Sequence, residues 1–112
     1  MGLFGSRKKS EGPFQFRVSD SVEVPLRGYL LRLKLLNGEP AIGDLAPGRK
    51  IKLRSPGGAE RVVVIKANSV TQGPASQSRL DRTREFDIVI AAADAVTNNE
   101  AVDIGWTAVG PA

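Results

Sequence analysis

The sequence predicts an all-β protein: a small, six-stranded, mainly antiparallel closed barrel preceded by a disordered arm. Three observations carry this. In Gly28–Leu36, Leu31, Leu33 and Leu35 fall on one side and Arg32 and Lys34 on the other, the period-two spacing of a sheet with one buried face. Similar short runs recur along the chain, separated by Gly-, Pro- and Asn-containing turns. No stretch carries an amphipathic helical stripe of useful length, and many short strands with regular turns are the mark of a small barrel.

Met1–Pro13 (MGLFGSRKKSEGP) is rich in Gly, Ser and Lys and is expected to be a flexible basic arm; residues 14–112 form the barrel domain. Phe14–Asp20 is the first strand, with Phe14, Phe16 and Val18 on one face. After Pro25, Gly28–Leu36 is the second, closed by the turn dipeptide Asn37-Gly38. Pro40, Gly43, Pro47 and Gly48 hold the next loop. Lys50–Arg54 is the third strand, with Ile51 and Leu53 inward and Lys50, Lys52 and Arg54 outward. Ser55-Pro56-Gly57-Gly58 is a tight turn. Glu60–Val70 is the fourth strand, centred on Val62, Val63, Val64 and Ile65. Its register is open: either Val62, Val64 and Lys66 face inward, or Val63 and Ile65 do. Thr71–Thr83 reads as a polar loop, Arg84–Ala92 as the fifth strand around Phe86, Ile88 and Ile90, Asp94–Asn99 as one helical turn, and Ala101–Val109 as the sixth strand, carrying Trp106.

Composition narrows the chemistry. The chain has 112 residues and neither Cys nor His, which removes disulfides, thiolates, the commonest metal ligand and the commonest neutral-pH base. No metal and no cofactor are expected, and a small enzyme working without His or Cys is the least favoured reading. The carboxylates Asp87, Asp94 and Asp103 are scattered over strand and loop positions, and alternation does not gather them. The longest apolar run, Ile88–Ala93, is far short of the ~20 residues that span a bilayer, and no signal-peptide core follows the start. A cytoplasmic protein is expected, with membrane association unlikely.

The net charge is +4, unevenly spread: residues 1–66 hold 13 basic and 6 acidic residues, a balance of +7, whereas residues 67–112 hold 3 and 6, a balance of −3. Such polarity favours an anionic partner for the first part of the chain.

Several segments resemble one known architecture. Phe14–Val22 resembles the first strand of the second domain of translational GTPases such as elongation factor Tu. Arg27-Gly28 sits where that domain has its Arg-Gly, Leu30–Leu36 resembles the long strand that follows, and Asn37-Gly38 its closing turn. Leu45–Leu53 is similar to the family's apolar-x-x-Gly-x-x-apolar-x-apolar run, and Val102–Val109 to its last strand. The resemblance covers roughly residues 14–110 and implies a barrel that binds rather than catalyses, with a protein or RNA partner in a translation-like setting. There are departures: Glu39–Asp44 reads as an insertion, residues 79–85 replace the family's small turn, and no phosphate-binding G-x-x-x-x-G-K-[ST] loop is present. No binding residue is carried over.

The candidate sites are therefore basic. If the second and third strands are neighbours, Arg32, Lys34, Lys50, Lys52 and Arg54 share one outward face suited to RNA phosphates. Aromatic side chains are not interleaved with them, which argues against base stacking. Arg79, Arg82 and Arg84 form a second cluster, with Asp81 and Glu85 close enough to pair locally. Their spacing brushes against the R-x-x-x-R of cyclic-dinucleotide barrels, without the second signature those barrels carry. M-G-L-F-G-S fits the myristoylation pattern, with Arg7-Lys8-Lys9 as a basic second signal; a plain arm is the simpler reading.

Overall fold

In a computed structural model, residues 13–69, 77–97 and 100–110 are described. Residues 1–12, which hold nearly all of the expected arm and the myristoylation pattern, lie outside them. The main elements are β1 (Phe14–Val24), β2 (Gly28–Asn37), β3 (Lys50–Arg54), β4 (Glu60–Val64), α1 (Gln77–Thr83), β5 (Glu85–Ile90), α2 (Ala92–Ala95), β6 (Val96–Thr97), β7 (Glu100–Ala101) and β8 (Thr107–Gly110). A 3-10 turn spans Ile42–Leu45.

Six strands make one antiparallel sheet in the order β4-β3-β8-β1-β2-β5, while β6 and β7 pair as a separate two-stranded ribbon. The sheet curls into a half-barrel. It is not the closed barrel expected from the sequence. Among the described residues its edges, β4 and β5, are joined at one bridge, just past the end of β4: Lys66 N–H donates to the Val89 carbonyl (2.7 Å) and Val89 N–H to that of Ala67 (2.8 Å). The reason lies in the residues after Ile65. Apolar alternation stops there, and Asn68 turns its side-chain amide to the Leu45 carbonyl (2.7 Å) instead of extending a ladder. The expected strand Glu60–Val70 thus ends at Val64, and Val70 lies outside the described residues.

The concave side is the core, and it follows the alternation closely. Phe14, Phe16, Val18, Leu31, Leu33, Ile51, Leu53, Ile88 and Ile90 are all buried, each stabilising by about 1.5–3 kcal/mol relative to exposure. On β4 the open register resolves with Val63 and Ile65 inside and Val62, Val64 and Lys66 exposed. Leu45, Leu80, Ala95 and Val102 complete the core from the connections.

Other expectations shift. The first strand runs on to Val24, with register shifts near Gln15/Phe16 and Val18/Asp20. The part of the expected 71–83 loop that is described contains a two-turn helix, α1. It buries a single side chain, Leu80, so no apolar stripe announces it. The helical turn falls at Ala92–Ala95 instead of 94–99, and the expected last strand splits into β7 and β8. The Ser55–Gly58 turn forms as expected, closed by Gly58 N–H to the Ser55 carbonyl (2.9 Å). Gly28, with φ 114°, is demanded by close approach, since a Cβ there would collide with the Ile90 carbonyl oxygen.

One end of the half-barrel is covered by α2 and the β6–β7 ribbon, and Arg61 holds them there. Its guanidinium lies 4.9 Å from the Trp106 ring centroid. It donates to the carbonyls of Asp94 (2.9 Å), Ala95 (3.2 Å) and Glu100 (3.3 Å). Trp106 is thereby a buried rim residue under a cation.

Candidate nucleic-acid interface

The convex face is where the five basic side chains expected from the sequence lie, but they are not one cluster. β2 and β3 are not neighbours; β8 and β1 separate them. Arg32 and Lys34 belong to one half of the sheet and Lys50, Lys52 and Arg54 to the other.

Register joins the halves through a residue that sequence reasoning missed. Reading across the sheet, Glu60 (β4) lies opposite Arg54 (β3), Arg54 opposite Thr107 (β8), Thr107 opposite Arg17 (β1), Arg17 opposite Lys34 (β2), and Lys34 opposite Glu85 (β5). All six point away from the core, because Phe16, Val18, Leu33, Leu35, Leu53, Phe86 and Ala108 beside them are buried. At about 4.8 Å per strand, Arg54 stands roughly 10 Å from Arg17 and Lys34 one further strand away. The signal for Arg17 was present in the alternation of Phe14, Phe16 and Val18. What the sequence lacks is the strand order that brings Arg17 beside Lys34.

Acidic neighbours sort these cations. Arg32 binds Asp87 of β5, with Nε 3.1 Å from Oδ1, and that hydrogen bond raises the already high guanidinium pKa. Arg54 Nε donates to Glu60 (2.8 Å), and Lys52 Nζ lies 3.8 Å from the same carboxylate. The hydrogen bond from Arg54, then the charges of Lys52 and Arg54, hold Glu60 below the usual carboxylate range. Arg17, Lys34 and Lys50 make no ion pair among the described residues. Arg17 and Lys34 are exposed, directly opposite one another, with no acid between them.

The second expected cluster does not converge. Arg79 and Arg82 are exposed on α1, and Arg84 terminates the helix with φ 61°, its N–H donating to the Leu80 carbonyl (2.7 Å). A shallow cavity of about 370 Å³ lies beside it, lined among others by Leu35, Leu80, Glu39, Asp81 and Arg84. Only Arg84 of the three arginines reaches it, in the company of two acids.

No catalytic constellation is assembled at the other sequence candidates. Asp87 is engaged by Arg32, Asp94 lies in α2, Asp103 accepts from Ile104 N–H (2.7 Å), and Lys66 is on the surface. Among the described residues no three His, Cys, Asp or Glu side chains are grouped to hold a metal ion, and no helix is long and apolar enough to cross a membrane. Phe14, Phe16, Phe86 and Trp106 are buried and Tyr29 packs partly against the core, so the described convex face offers no exposed ring. No protein-family model matches the sequence, and no match emerges among curated proteins.

Proposed function

We propose that the chain is a non-catalytic binding module resembling the second-domain barrel of translational GTPases, and that it holds RNA by the phosphate backbone across its convex face. One observation carries this reading: Arg17 and Lys34 face each other across β1 and β2, and neither makes an ion pair among the described residues, although Glu85 lies opposite Lys34 on β5. Like charges directly opposite on a sheet are destabilising, and an anion lying over the pair relieves that repulsion. Lys50 adds a further unpaired cation, and Arg54 lies in the same row. With no exposed aromatic platform among the described residues, recognition is of backbone charge and insensitive to base sequence. The resemblance of residues 14–110 to a translation-factor barrel supports RNA as the polyanion and a cytoplasmic setting.

The test is the binding of a mixed-sequence single-stranded RNA as a function of salt. Arg17→Ser with Lys34→Ser should leave the melting temperature nearly unchanged, since exposed substitutions usually shift stability by no more than about 0.5 kcal/mol each. The slope of log K against log salt should become shallower by about 1.4, at roughly 0.7 per lost phosphate contact. An unchanged slope in the folded variant would rule out the convex row as the interface.

A further inference from the structure

We propose that the outer edge of β4 is a docking site for an extended, acidic segment of another protein, which adds to the sheet as a further strand. Hydrogen bonding sets up the edge. Ile65 N–H donates to the Arg49 carbonyl (2.9 Å), so in the antiparallel register of β3 and β4 the residues Arg61 and Val63 also turn their backbone groups to β3. Val62 and Val64 therefore present their N–H and C=O groups to the outside. Lys66, next in that series, gives its N–H to Val89 of β5. The same edge is thus used at Lys66 and left unpaired at Val62 and Val64 among the described residues.

Natural sheets blunt such edges with Pro, Lys, a bulge or a cover. Here Val62 and Val64 are 54% and 41% exposed. Both have strong β-propensity, and the β3–β4 register runs without a bulge. A strand laid along this edge forms main-chain bonds to both valines, the mode by which extended peptides join open sheets.

Charge selects the occupant. On the convex side, Lys50 lies opposite Val64 and Lys52 opposite Val62, with Lys66 following on the same face. The only acid of β4, Glu60, is already held by Arg54 and Lys52. An incoming strand with Asp or Glu at its outward positions lies beside Lys66, with Lys50 and Lys52 one strand further in on the same face. The surplus of positive charge along this edge favours an acidic partner; pairing of two copies is an outcome the test separates, and the site is distinct from the Arg17–Lys34 pair.

The probe is a short fluorescein-labelled peptide alternating Glu with Thr, compared with its Lys–Thr counterpart. In the intact chain, the acidic peptide should bind by fluorescence anisotropy and slow hydrogen exchange at the Val62 and Val64 amides. Val62→Pro removes one outward donor without breaking the ladder to β3 and should weaken binding by about tenfold or more. Lys50→Glu with Lys66→Glu should invert the preference toward the Lys–Thr peptide. If Val62→Pro fails to fold, exchange at Val62 and Val64 in the unaltered chain decides. Equal binding of both peptides, no added protection with the acidic one, or protection that grows with protein concentration alone as dimers form would each overturn the proposal. RNA affinity read in parallel on the Arg17→Ser/Lys34→Ser variant keeps the two surfaces distinguishable.

Discussion

At the scale of single residues, two side chains show what alternation cannot announce. Leu26 follows Pro25 in the β1–β2 turn, where Arg27 N–H donates to the Val24 carbonyl (2.9 Å). Its φ is 67° and its side chain is wholly exposed. That position of a type II turn ordinarily belongs to Gly, because a side chain in the left-handed region costs about 1–2 kcal/mol. Leu26→Gly loses no packing, and after the entropy of glycine is set against relief of strain it should stabilise the protein by about 0.5–1 kcal/mol. Thermal unfolding followed by circular dichroism checks this, and an unchanged or lower Tm would refute it. Arg61 is the converse case. In sequence the register of its strand is open and nothing marks it out; in the fold it turns inward over Trp106 and ties three carbonyls of α2 and the ribbon. Its role depends on residues some 33 to 45 positions away, which no local pattern encodes.

At the scale of elements, legibility tracks how much of a segment is buried on one side only. β2 and β3 were readable to within a residue because Leu31, Leu33, Leu35, Ile51 and Leu53 alternate with charges. α1 was not, since Leu80 is its one buried residue. The basic face was legible as outward register, but its division into paired and unpaired cations was not, because partners such as Asp87 and Glu60 are fixed by strand neighbours. The β3–β4 hairpin makes a testable case. Arg54 and Lys52 lower the Glu60 pKa, so the folded state favours its ionised form. That contribution is present above the ordinary carboxylate value of about 4.3 and is lost as the pH falls through the lower folded value. Glu60→Gln should therefore flatten the acid side of the stability–pH profile while leaving the shape near neutrality intact. Urea titrations from pH 7 to pH 3 measure it; parallel profiles for the two proteins would exclude the coupling.

At the scale of the whole molecule, six strands and their antiparallel pairing were foreseeable, but closure and strand order were not. The placement of β8 between β1 and β3 has a consequence for the order in which the chain acquires structure. As residues emerge from synthesis, β1–β2 and then β3–β4 complete as separate hairpins, each with one flank bare. Beyond the bridge between Ala67 and Val89, residues 107–110 weld them into one sheet, with Ala108 seated between Phe16 and Leu53. The β5-β2-β1 part and the β3–β4 hairpin thus wait on four residues made after both, and a hairpin by itself is marginally stable at best. A chain stopped after Trp106 should lose cooperative thermal unfolding and associate through the two bare flanks, which sedimentation would detect. A monomeric, cooperatively melting truncation would show instead that the halves can meet without their wedge. Bonds so distant in sequence slow folding, and β1–β8, which joins Phe14 to Gly110, is the most distant pairing of the sheet.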